Sequence, residues 1–362
     1  MTFHTMETYM MKRVAWRMAT LAAVGVALMA CSGGSAGDKA ADTTAGKSAA
    51  KAGGADKIVI AMIAKSSTNA VFLAARTGAE AAAKELSKTS NVPVEIMWLT
   101  PPDENGEVQA QRIRQAVNDG ASGVLLSASD AGKVTGAIND AVDRGVPVMM
   151  FDSDAPLSKR FAFYGVDDHK TGVTTMSELA KQLGGKGKVA ILAGNQNAPN
   201  LQRRVQGVKD EAKNYPGITI VGTFNHIETA QDAAAEVIRA NNAYPDITGW
   251  AMIGGWPLFT QTLLTDLDPK KQKVVSVDAL PDELAYVEKG IAPVLLAQPV
   301  YLWGDVGVRT LFAKIHDKKD PASPIIPMEL VRVSKDNLGT WARQLKDWGF
   351  TNINPTFLAL KQ

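Results

Sequence analysis

Residues 123–151, GVLLSASDAGKVTGAINDAVDRGVPVMMF, decide the fold, because they predict a strand, a helix and a second strand in succession. Gly123 to Ser127 and Val146 to Phe151 are short apolar runs, and Ala131 to Arg144 between them has the spacing of an amphipathic helix. Gly145 stands just past the predicted helix end, where a left-handed glycine commonly terminates a helix. Units of this kind favour a parallel sheet covered by helices on both faces.

The same alternation continues on both sides of this stretch, from Lys57 toward the C-terminus. The pattern predicts further strands at 58–64, 94–99, 188–193, 218–224, 249–253, 273–277, 294–298 and 328–333. It predicts further helices at 70–87, 108–119, 171–183, 201–215, 230–244, 259–267, 282–289, 301–316 and 338–348. Because the series restarts after Tyr164 and gives two sets of similar size, the sequence predicts two lobes of similar α/β fold.

Length and composition restrict the class of protein. The 362 residues suffice for two domains of roughly 150 residues each. A hydrophobic content of 46% and a formal charge of +2 are ordinary for a globular chain, so we expect no nucleic-acid partner. His169, His226 and His316 have no metal-ligand spacing, and no nucleophile, base and orienting group stand together. We therefore expect no metal, no cofactor and no catalytic site.

The N-terminus carries an export pattern. Lys12, Arg13 and Arg17 precede an apolar stretch from Met18 to Ala30, which is too short for a membrane span and typical of a secretion signal. The stretch ends at Leu28-Met29-Ala30-Cys31, which resembles the lipobox of bacterial lipoproteins, and Cys31 is the only cysteine of the chain. That resemblance implies cleavage before Cys31 and lipidation of its thiol, with an incidental cysteine as the alternative.

Residues 1–31 are therefore predicted to be a lipoprotein signal, with Met10 or Met11 as an alternative start. Residues 32–56 consist almost wholly of Ser, Gly, Ala, Asp, Thr and Lys, a composition that cannot bury enough apolar area to offset its ordering entropy. We expect this segment to be a flexible tether. The protein would then lie in the cell envelope, in the periplasm or on the outer face of the cytoplasmic membrane, anchored by its lipid.

Several segments together resemble the ribose-type (cluster B, type I fold) periplasmic sugar-binding proteins of ABC transporters. They include GVPVMMFDSD at 145–154 and KVAILAG at 188–194, with others at 58–85, 164–168, 204–208, 274–278 and 296–299. Their order and spacing carry the resemblance, which covers nearly all of the chain from Lys57 to about Val333. It implies two Rossmann-like lobes joined by a three-strand hinge, lobe 1 being 57–165 plus 299–326 and lobe 2 being 166–298 plus 327–362.

Aspartates that follow buried strands are candidate ligand residues. Asp152 and Asp278 each come directly after an apolar strand, and ligands of open parallel sheets bind beyond the carboxyl ends of the strands. The family resemblance gives Asp152 the role of accepting hydrogen bonds from sugar hydroxyls, with a cap on the following turn as the alternative. Asp154 is a further candidate because Asp152-Ser153-Asp154 resembles members that bind rhamnose or a furanosyl signalling molecule.

The resemblance implies further ligand contacts. Arg204, in an Arg-x-x-Gly pattern, matches a family arginine whose fork of donors suits paired hydroxyls. The alternative interpretation of Arg204 is a solvated helix residue, like the neighbouring Arg203. Gln298 matches a hinge glutamine, and Asn69 and Phe72 lie where members place an amide and an aromatic ring for stacking on the sugar.

The chain departs from ribose binders after the predicted strand at 249–253. Those members carry Asn-Asp there, whereas this chain has Gly254-Gly255-Trp256-Pro257. The change removes a polar ligand contact and adds a large ring, so Trp256 is a candidate ligand residue. Core packing is the alternative for Trp256 and for Trp250. We therefore expect a sugar-like ligand other than plain ribose.

We expect a monomer that captures a small sugar-like molecule by hinge closure and delivers it to an ABC permease in the membrane. Three alternatives stay open. A sensing protein that feeds a chemoreceptor or a sensor kinase would use the same cleft. A transcriptional regulator core shares the fold but needs a helix-turn-helix where this chain has its predicted signal. A secreted enzyme would need a catalytic constellation that the sequence does not suggest.

Overall fold

The computed structural model of the protein describes residues 57–265 and 267–362. The predicted signal, the lipidation site Cys31 and the tether at 32–56 lie outside the described residues. Among the described helices, none combines the length and the apolar character that crossing a membrane requires.

Strands alternate with helices along the described chain. In chain order the elements begin with β1 (Ile58–Ile63), α1 (Ala70–Ser90), β2 (Val94–Trp98), α2 (Gly106–Asn118), β3 (Gly123–Leu126), α3 (Ala131–Asp143), β4 (Val148–Phe151), β5 (Ala162–Gly165), α4 (Asp168–Leu183), β6 (Lys186–Ala193) and α5 (Pro199–Ala212). They continue with β7 (Gly217–Asn225), α6 (Ala230–Ala243), β8 (Gly249–Met252), β9 (Lys273–Val277), α7 (Leu284–Lys289), β10 (Val294–Ala297), α8 (Tyr301–Ile315), β11 (Ile325–Pro327), β12 (Val331–Val333), α9 (Leu338–Asp347) and α10 (Pro355–Leu358).

The described strands form two six-stranded sheets of matching organisation. The order is β11-β5-β4-β3-β1-β2 in the first sheet and β12-β10-β9-β8-β6-β7 in the second. Neighbouring strands are parallel except for β10 and β12, which are antiparallel. The strands change sheet three times along the chain, after β5, after β10 and after β11. The predicted pair of parallel α/β lobes is thereby confirmed, while the residue limits of the lobes stay a prediction.

The central strands are apolar on both faces. β3 and β4 in the first sheet, and β8 and β10 in the second, are buried at every residue. This is the burial expected of parallel strands that helices cover on both sides. The apolar runs that predicted these strands are therefore core residues of the two lobes.

Two glycines bring α4 and α5 into backbone contact in the second lobe. A Cβ added to Gly172 would lie 2.0 Å from the carbonyl oxygen of Arg204, and one added to Gly207 would lie 2.1 Å from that of His169. Any larger residue at either position would push the helices apart. This close approach fixes the position of α5, which supplies residues to the cleft between the lobes.

The predicted helix at 259–267 is wrong. The chain has a short 3₁₀ turn at Trp256–Leu258 and then turns and bends over residues 259–265. Threonine hydroxyls bind locally in this segment: Oγ1 of Thr260 and Thr262 lie 2.9 Å apart, and Oγ1 of Thr260 accepts from the amide of Thr262. Such side-chain bonds compete with helical hydrogen bonds. The carbonyl of Thr260 also accepts from the Tyr286 hydroxyl at 2.6 Å, which fixes the turn against α7.

The C-terminal prediction at 328–333 is only partly right. The strand β12 begins at Val331, and the residues before it include β11, which was not predicted. β11 pairs with β5, a short strand that was also not predicted. Pro327 can end β11 because that strand lies at a sheet edge, where a missing amide proton costs little.

Candidate functional site

A small cavity lies where the carboxyl ends of the two sheets face each other. Both lobes line it. Of the residues predicted from the sequence, seven are in its wall: Asn69, Phe72, Asp152, Arg204, Trp256, Asp278 and Gln298. The structure therefore brings these seven together, and their binding of a ligand remains a prediction.

Asp152 directly follows β4, with a left-handed backbone at φ 57°. Its side chain is buried and its two oxygens have different partners. Oδ2 accepts from Oγ of Ser127 at 2.8 Å, and Oδ1 accepts from Nδ2 of Asn200 at 3.0 Å. Ser127 belongs to the first lobe and Asn200 lies on α5 of the second, so Asp152 connects the two lobes.

Asp278 holds the equivalent position in the second lobe. It directly follows β9, which is third in its sheet as β4 is in the first, and it too is left-handed, at φ 77°. Oδ2 accepts from the amide of Gly255 at 3.1 Å, and Oδ1 accepts from Nε2 of Gln298 at 2.9 Å. Burial raises the pKa of Asp278, and the hydrogen bond from Gln298 and the charge of Arg204 oppose that rise.

Arg204 donates from all three guanidinium nitrogens inside the cavity wall. Nε donates to Oδ1 of Asp168 at 2.8 Å, Nη1 to the carbonyl of Ile253 at 3.1 Å, and Nη2 to Oε1 of Gln298 at 2.9 Å. Arg204 is 2% exposed, whereas its neighbour Arg203 is exposed. The alternative that Arg204 is a solvated helix residue is therefore wrong.

The charges around Arg204 favour its ionised form. Burial alone would lower its pKa, but Asp168, Asp152 and Asp278 outweigh burial and raise it. Burial has the opposite consequence for Asp168, whose pKa it raises to about 6 against the attraction of Arg204. The close packing of α4 on α5 places this carboxylate against the guanidinium, since Asp168 is the first residue of α4.

Asn69 and Phe72 line the cavity and also stabilise the first lobe. Oδ1 of Asn69 accepts from the amide of Val71 at 3.2 Å, which caps the N-terminus of α1. The Phe72 ring stacks on Trp303 with centroids 6.1 Å apart and meets Phe151 edge-on at 6.4 Å. A ligand would therefore meet the edge of an ordered aromatic cluster.

The two tryptophans left open by the sequence have different places. Trp250 is fully buried in the second lobe, where its indole donates to Oδ1 of Asn241 at 3.2 Å, so it is a packing residue. Trp256 lines the cavity, and its Nε1 donates to Oε2 of Glu228 at 3.1 Å. Its ring also meets that of His226 edge-on at 4.8 Å.

Asp154 is not brought to the cavity. Its carboxylate pairs with the guanidinium of Arg160 in the same loop, and Nη2 of Arg160 lies 2.6 Å from Oδ2. Because both oxygens of Asp154 face this local partner, the structure gives no support to its predicted ligand contact.

A buried ion cluster that the sequence analysis missed lies at the cavity wall. The Lys65 side chain is 3% exposed, and its Nζ lies 3.4 Å from Oε2 of Glu228 and 3.5 Å from Oε1 of Glu104. Lys65 and Glu104 follow β1 and β2 in the first lobe, whereas Glu228 follows β7 in the second. All three lie beyond the carboxyl ends of strands, and that is the signal that could have found them.

The pKa values of the two carboxyl groups in this cluster shift in opposite directions. Burial and the charge of Glu228 raise the pKa of Glu104 to about 8. Burial disfavours the ionised form of Glu228 as well, but the charge of Lys65 outweighs it and lowers the pKa of that carboxyl. For Lys65, burial acts against the ammonium, and its two carboxylate partners prevail and raise the pKa. At pH 7 the cluster is therefore an ion pair beside a protonated Glu104.

In the described part of the chain, no group of histidine, cysteine, aspartate and glutamate side chains is arranged to hold a metal ion. The cavity instead combines carboxylates, amides, a guanidinium, an ammonium and aromatic rings. Such a wall can donate and accept hydrogen bonds around a small polar ligand without any bond being broken.

This architecture defines a two-lobed binding protein with its site between the lobes, and a model of that class matches the sequence. The model describes a periplasmic binding protein domain and matches residues 60–319. The chain belongs to the periplasmic binding protein family, and the resemblance to its ribose-type sugar-binding members is confirmed.

Two relatives have descriptions that name a sugar. The D-apiose import binding protein of Actinobacillus succinogenes is 28% identical over 54% of this chain and 61% of its own length. The D-ribose/D-allose-binding protein of Pseudomonas aeruginosa is 28% identical over 53% of this chain and 61% of its own length. The matched region thus spans under two thirds of these relatives.

Among solved structures, a solute-binding protein of an ABC transporter from Burkholderia graminis, in complex with D-arabinose, is 26% identical with a TM-score of 0.71. The alignment covers 77% of this chain and 96% of that one. The agreement extends over both lobes, which supports the type I binding-protein fold.

Proposed function

We propose that this protein is an extracytoplasmic solute-binding lipoprotein that captures a sugar-like molecule between its lobes and delivers it to an ABC permease. The observation that carries the proposal is the network that joins Arg204, Gln298 and Asp278 at the cavity wall, with Asp152 facing it from the other lobe. The proposal makes the protein a carrier and not an enzyme.

The chemistry of the wall supports a polyhydroxylated ligand. Each sugar hydroxyl donates one hydrogen bond and accepts others, so it needs acceptors and donors side by side. Asp152 and Asp278 supply acceptors, while Arg204 and Lys65 supply donors. Phe72 and Trp256 add apolar surface for the C–H faces of a ring. The named ligands of the relatives, which include D-apiose and D-ribose, are molecules of this kind.

Contacts that cross the cleft support capture by closure. Asn200 donates to Asp152, and Lys65 pairs with Glu228, in each case between residues of different lobes. These contacts exist only while the lobes are close together. A ligand that touches both lobes binds the closed form better than the open one and shifts the population toward it.

Delivery to a permease and attachment by a lipid rest on the family and on the N-terminal sequence. The similar structure from Burkholderia graminis is a solute-binding protein of an ABC transporter, and Leu28 to Cys31 has the lipobox pattern. We place the protein in the cell envelope on these grounds. It would act there as a monomer whose closed shape the membrane partner recognises.

A ligand screen by thermal denaturation tests the proposal. The probes are D-ribose, D-arabinose, D-xylose, D-galactose, D-glucose, L-rhamnose and xylitol, each in excess over the protein. A ligand that binds only the folded state raises the melting temperature, and at one hundred times its Kd it adds about 2.7 kcal/mol of stability. A melting temperature that none of these probes raises would count against a sugar-binding role.

A further inference from the structure

Buried carboxylates outnumber buried cations at the cavity. Among the described residues that line it or contact its charged groups, the acids are Asp152, Asp168, Asp278, Glu104 and Glu228. The corresponding cations are Lys65 and Arg204. The excess of three formal negative charges lies in a region where all seven side chains are largely shielded from water.

Protonation reduces this excess without removing it. Glu104 is largely uncharged at pH 7, since its pKa is raised to about 8 by burial and by Glu228. Asp168, with its pKa raised to about 6 by burial, is mostly ionised at that pH. With the other groups at their formal charges two negative charges then remain in excess, and burial, which raises the pKa of Asp278, makes this an upper limit. Both are in the group around Arg204, because Lys65 and Glu228 balance each other.

Helix dipoles offset part of the remaining charge. The N-termini of α1 and α5 face the cavity through Asn69 and Asn200, and a helix N-terminus is equivalent to about half a positive charge. The N-terminus of α4 also lies at this cluster, since Asp168 is its first residue, so three termini offset roughly one and a half of the excess charges. Buried carboxylates still outnumber the buried cations at the cavity, so a further negative charge placed there is disfavoured.

We infer that this cavity selects its ligand by charge: it accepts neutral sugars, favours sugars that carry a protonated amine, and rejects sugar acids. The inference rests on the proposed function and names the ligand class of the same site. An added carboxylate would lie among buried like charges, and three of the five N–H donors of Arg204 are already bonded to Asp168, Ile253 and Gln298. An ammonium would instead find carboxylate oxygens that each have one further acceptor position.

Matched ligand sets test the inference on the unmodified protein. D-glucose, D-glucosamine and D-glucuronate form one set, and D-galactose, D-galactosamine and D-galacturonate form the other. We expect calorimetry at pH 7 to give each acid an affinity at least tenfold below its neutral parent, and each amine an affinity at or above it. The methyl ester of each uronic acid separates charge from shape, because it is larger than the acid but uncharged. We expect the ester to bind better than the acid.

Charge-neutral variants of the two strand-end aspartates provide the second arm. Asp152→Asn and Asp278→Asn keep the side-chain shape, and asparagine tolerates the left-handed backbone at both positions. Each should weaken binding of the neutral sugar. Each should also reduce the ratio of neutral-sugar affinity to acid affinity by about tenfold, the effect expected when one unit charge at short range is removed. Glu288→Gln, at an exposed position on α7, is the control and should leave this ratio unchanged.

The possible results separate the two proposals. Charge selection is overturned if the acids bind within threefold of their neutral parents, or if the esters bind more weakly than the acids. Either result leaves sugar binding itself in place. An unchanged affinity ratio in both asparagine variants also overturns charge selection, because exclusion by shape would survive the loss of charge. No binding by any member of either set, together with no response in the wider sugar screen, overturns both charge selection and the proposed function.

Discussion

Nη2 of Arg204 donates to Oε1 of Gln298 across 2.9 Å, and through this bond one amide side chain joins the only described arginine of the cavity wall to Asp278. Gln298 directly follows β10, where the chain leaves the second sheet for α8 of the first lobe. The residue that orders the binding groups is thus also at a crossover between lobes. Ligand contact and lobe movement are coupled at this point.

Replacing Gln298 tests that coupling. In Gln298→Ala, Arg204 and Asp278 each lose a buried hydrogen-bond partner, and we expect ligand affinity to fall by about 1–3 kcal/mol, which is roughly five- to 150-fold. Calorimetry with the sugar identified in the screen measures this change. Gln206→Ala on the exposed face of α5 is the matched control, and equal affinities in the two variants would contradict the role of Gln298.

Arg204 and Arg203 form a natural pair for a second comparison. Arg204→Ala should reduce affinity at least tenfold, since charge-assisted hydrogen bonds contribute about 1.5–3 kcal/mol each, and it should reduce the ligand-induced decrease in radius of gyration. Arg203→Ala should bind and compact like the unmodified protein. Small-angle scattering with and without ligand supplies the second measurement.

Loss of Arg204 also leaves Asp168 buried without its cation. Arg204→Lys, which keeps the charge, separates a folding defect from a binding defect. If Arg204→Ala remained folded and closed normally around its ligand, the guanidinium would have no part in capture. A protein that binds tightly with no change in dimensions would contradict closure itself.

Closure should weaken as pH rises toward about 8. In the closed form Glu104 lies beside Glu228 and its pKa is about 8, whereas in an open, hydrated cleft it would return toward the ordinary value near 4.5. The closed form therefore binds the extra proton between these values, so closure is favoured at the acidic end and the advantage is lost as pH rises through about 8. Affinity should fall by no more than about tenfold per pH unit, the limit for one proton, and level off above that range.

Two isosteric variants check the origin of this pH dependence. Glu104→Gln cannot ionise and should lose the fall in affinity between pH 7 and 8, a range that lies above the pKa of about 6 of Asp168. Glu107→Gln, three residues along the chain and exposed, should keep the profile of the unmodified protein. A slope that persists in Glu104→Gln would assign the proton to another group.

Lipid attachment is tested at Cys31. Cys31→Ser should abolish incorporation of a labelled fatty acid and leave an unprocessed precursor, because the thiol of the lipobox cysteine is the acceptor. Metabolic labelling followed by electrophoresis measures both effects. If the unmodified protein incorporates no labelled fatty acid, the lipoprotein prediction is wrong, regardless of the result for Cys31→Ser.

Strand ends made part of the site predictable from sequence. Asp152 and Asp278 directly follow apolar runs that predict strands. Because no loop separates them from the strands, the strands fix their positions. The position of Arg204 came from a family pattern, and its burial became visible only with the packing of α4 on α5. Local sequence cannot show that packing, because it depends on two glycines thirty-five positions apart, Gly172 and Gly207.

The residues that the sequence did not reveal, and Asp154, which does not line the cavity, share a different cause. Glu104 and Glu228 lie in loops, where a charged residue is ordinarily solvated, and their burial depends on the opposite lobe. Asp154 stands two residues past Asp152, but the loop turns back and gives it Arg160 as a partner. In each case the decisive contact is made by a residue whose proximity no strand or helix pattern encodes.

The left-handed backbone at Asp152 and Asp278 limits how this site can be re-engineered. Residues other than glycine, asparagine and aspartate are strained at such angles, and β-branched or bulky residues most of all. Saturation libraries at these two positions would therefore yield mostly unstable proteins, whatever new ligand contact the side chain offered. Substitutions aimed at a new specificity are better made at Trp256 or Lys65, because neither residue has a positive φ. The two aspartates should be kept unchanged.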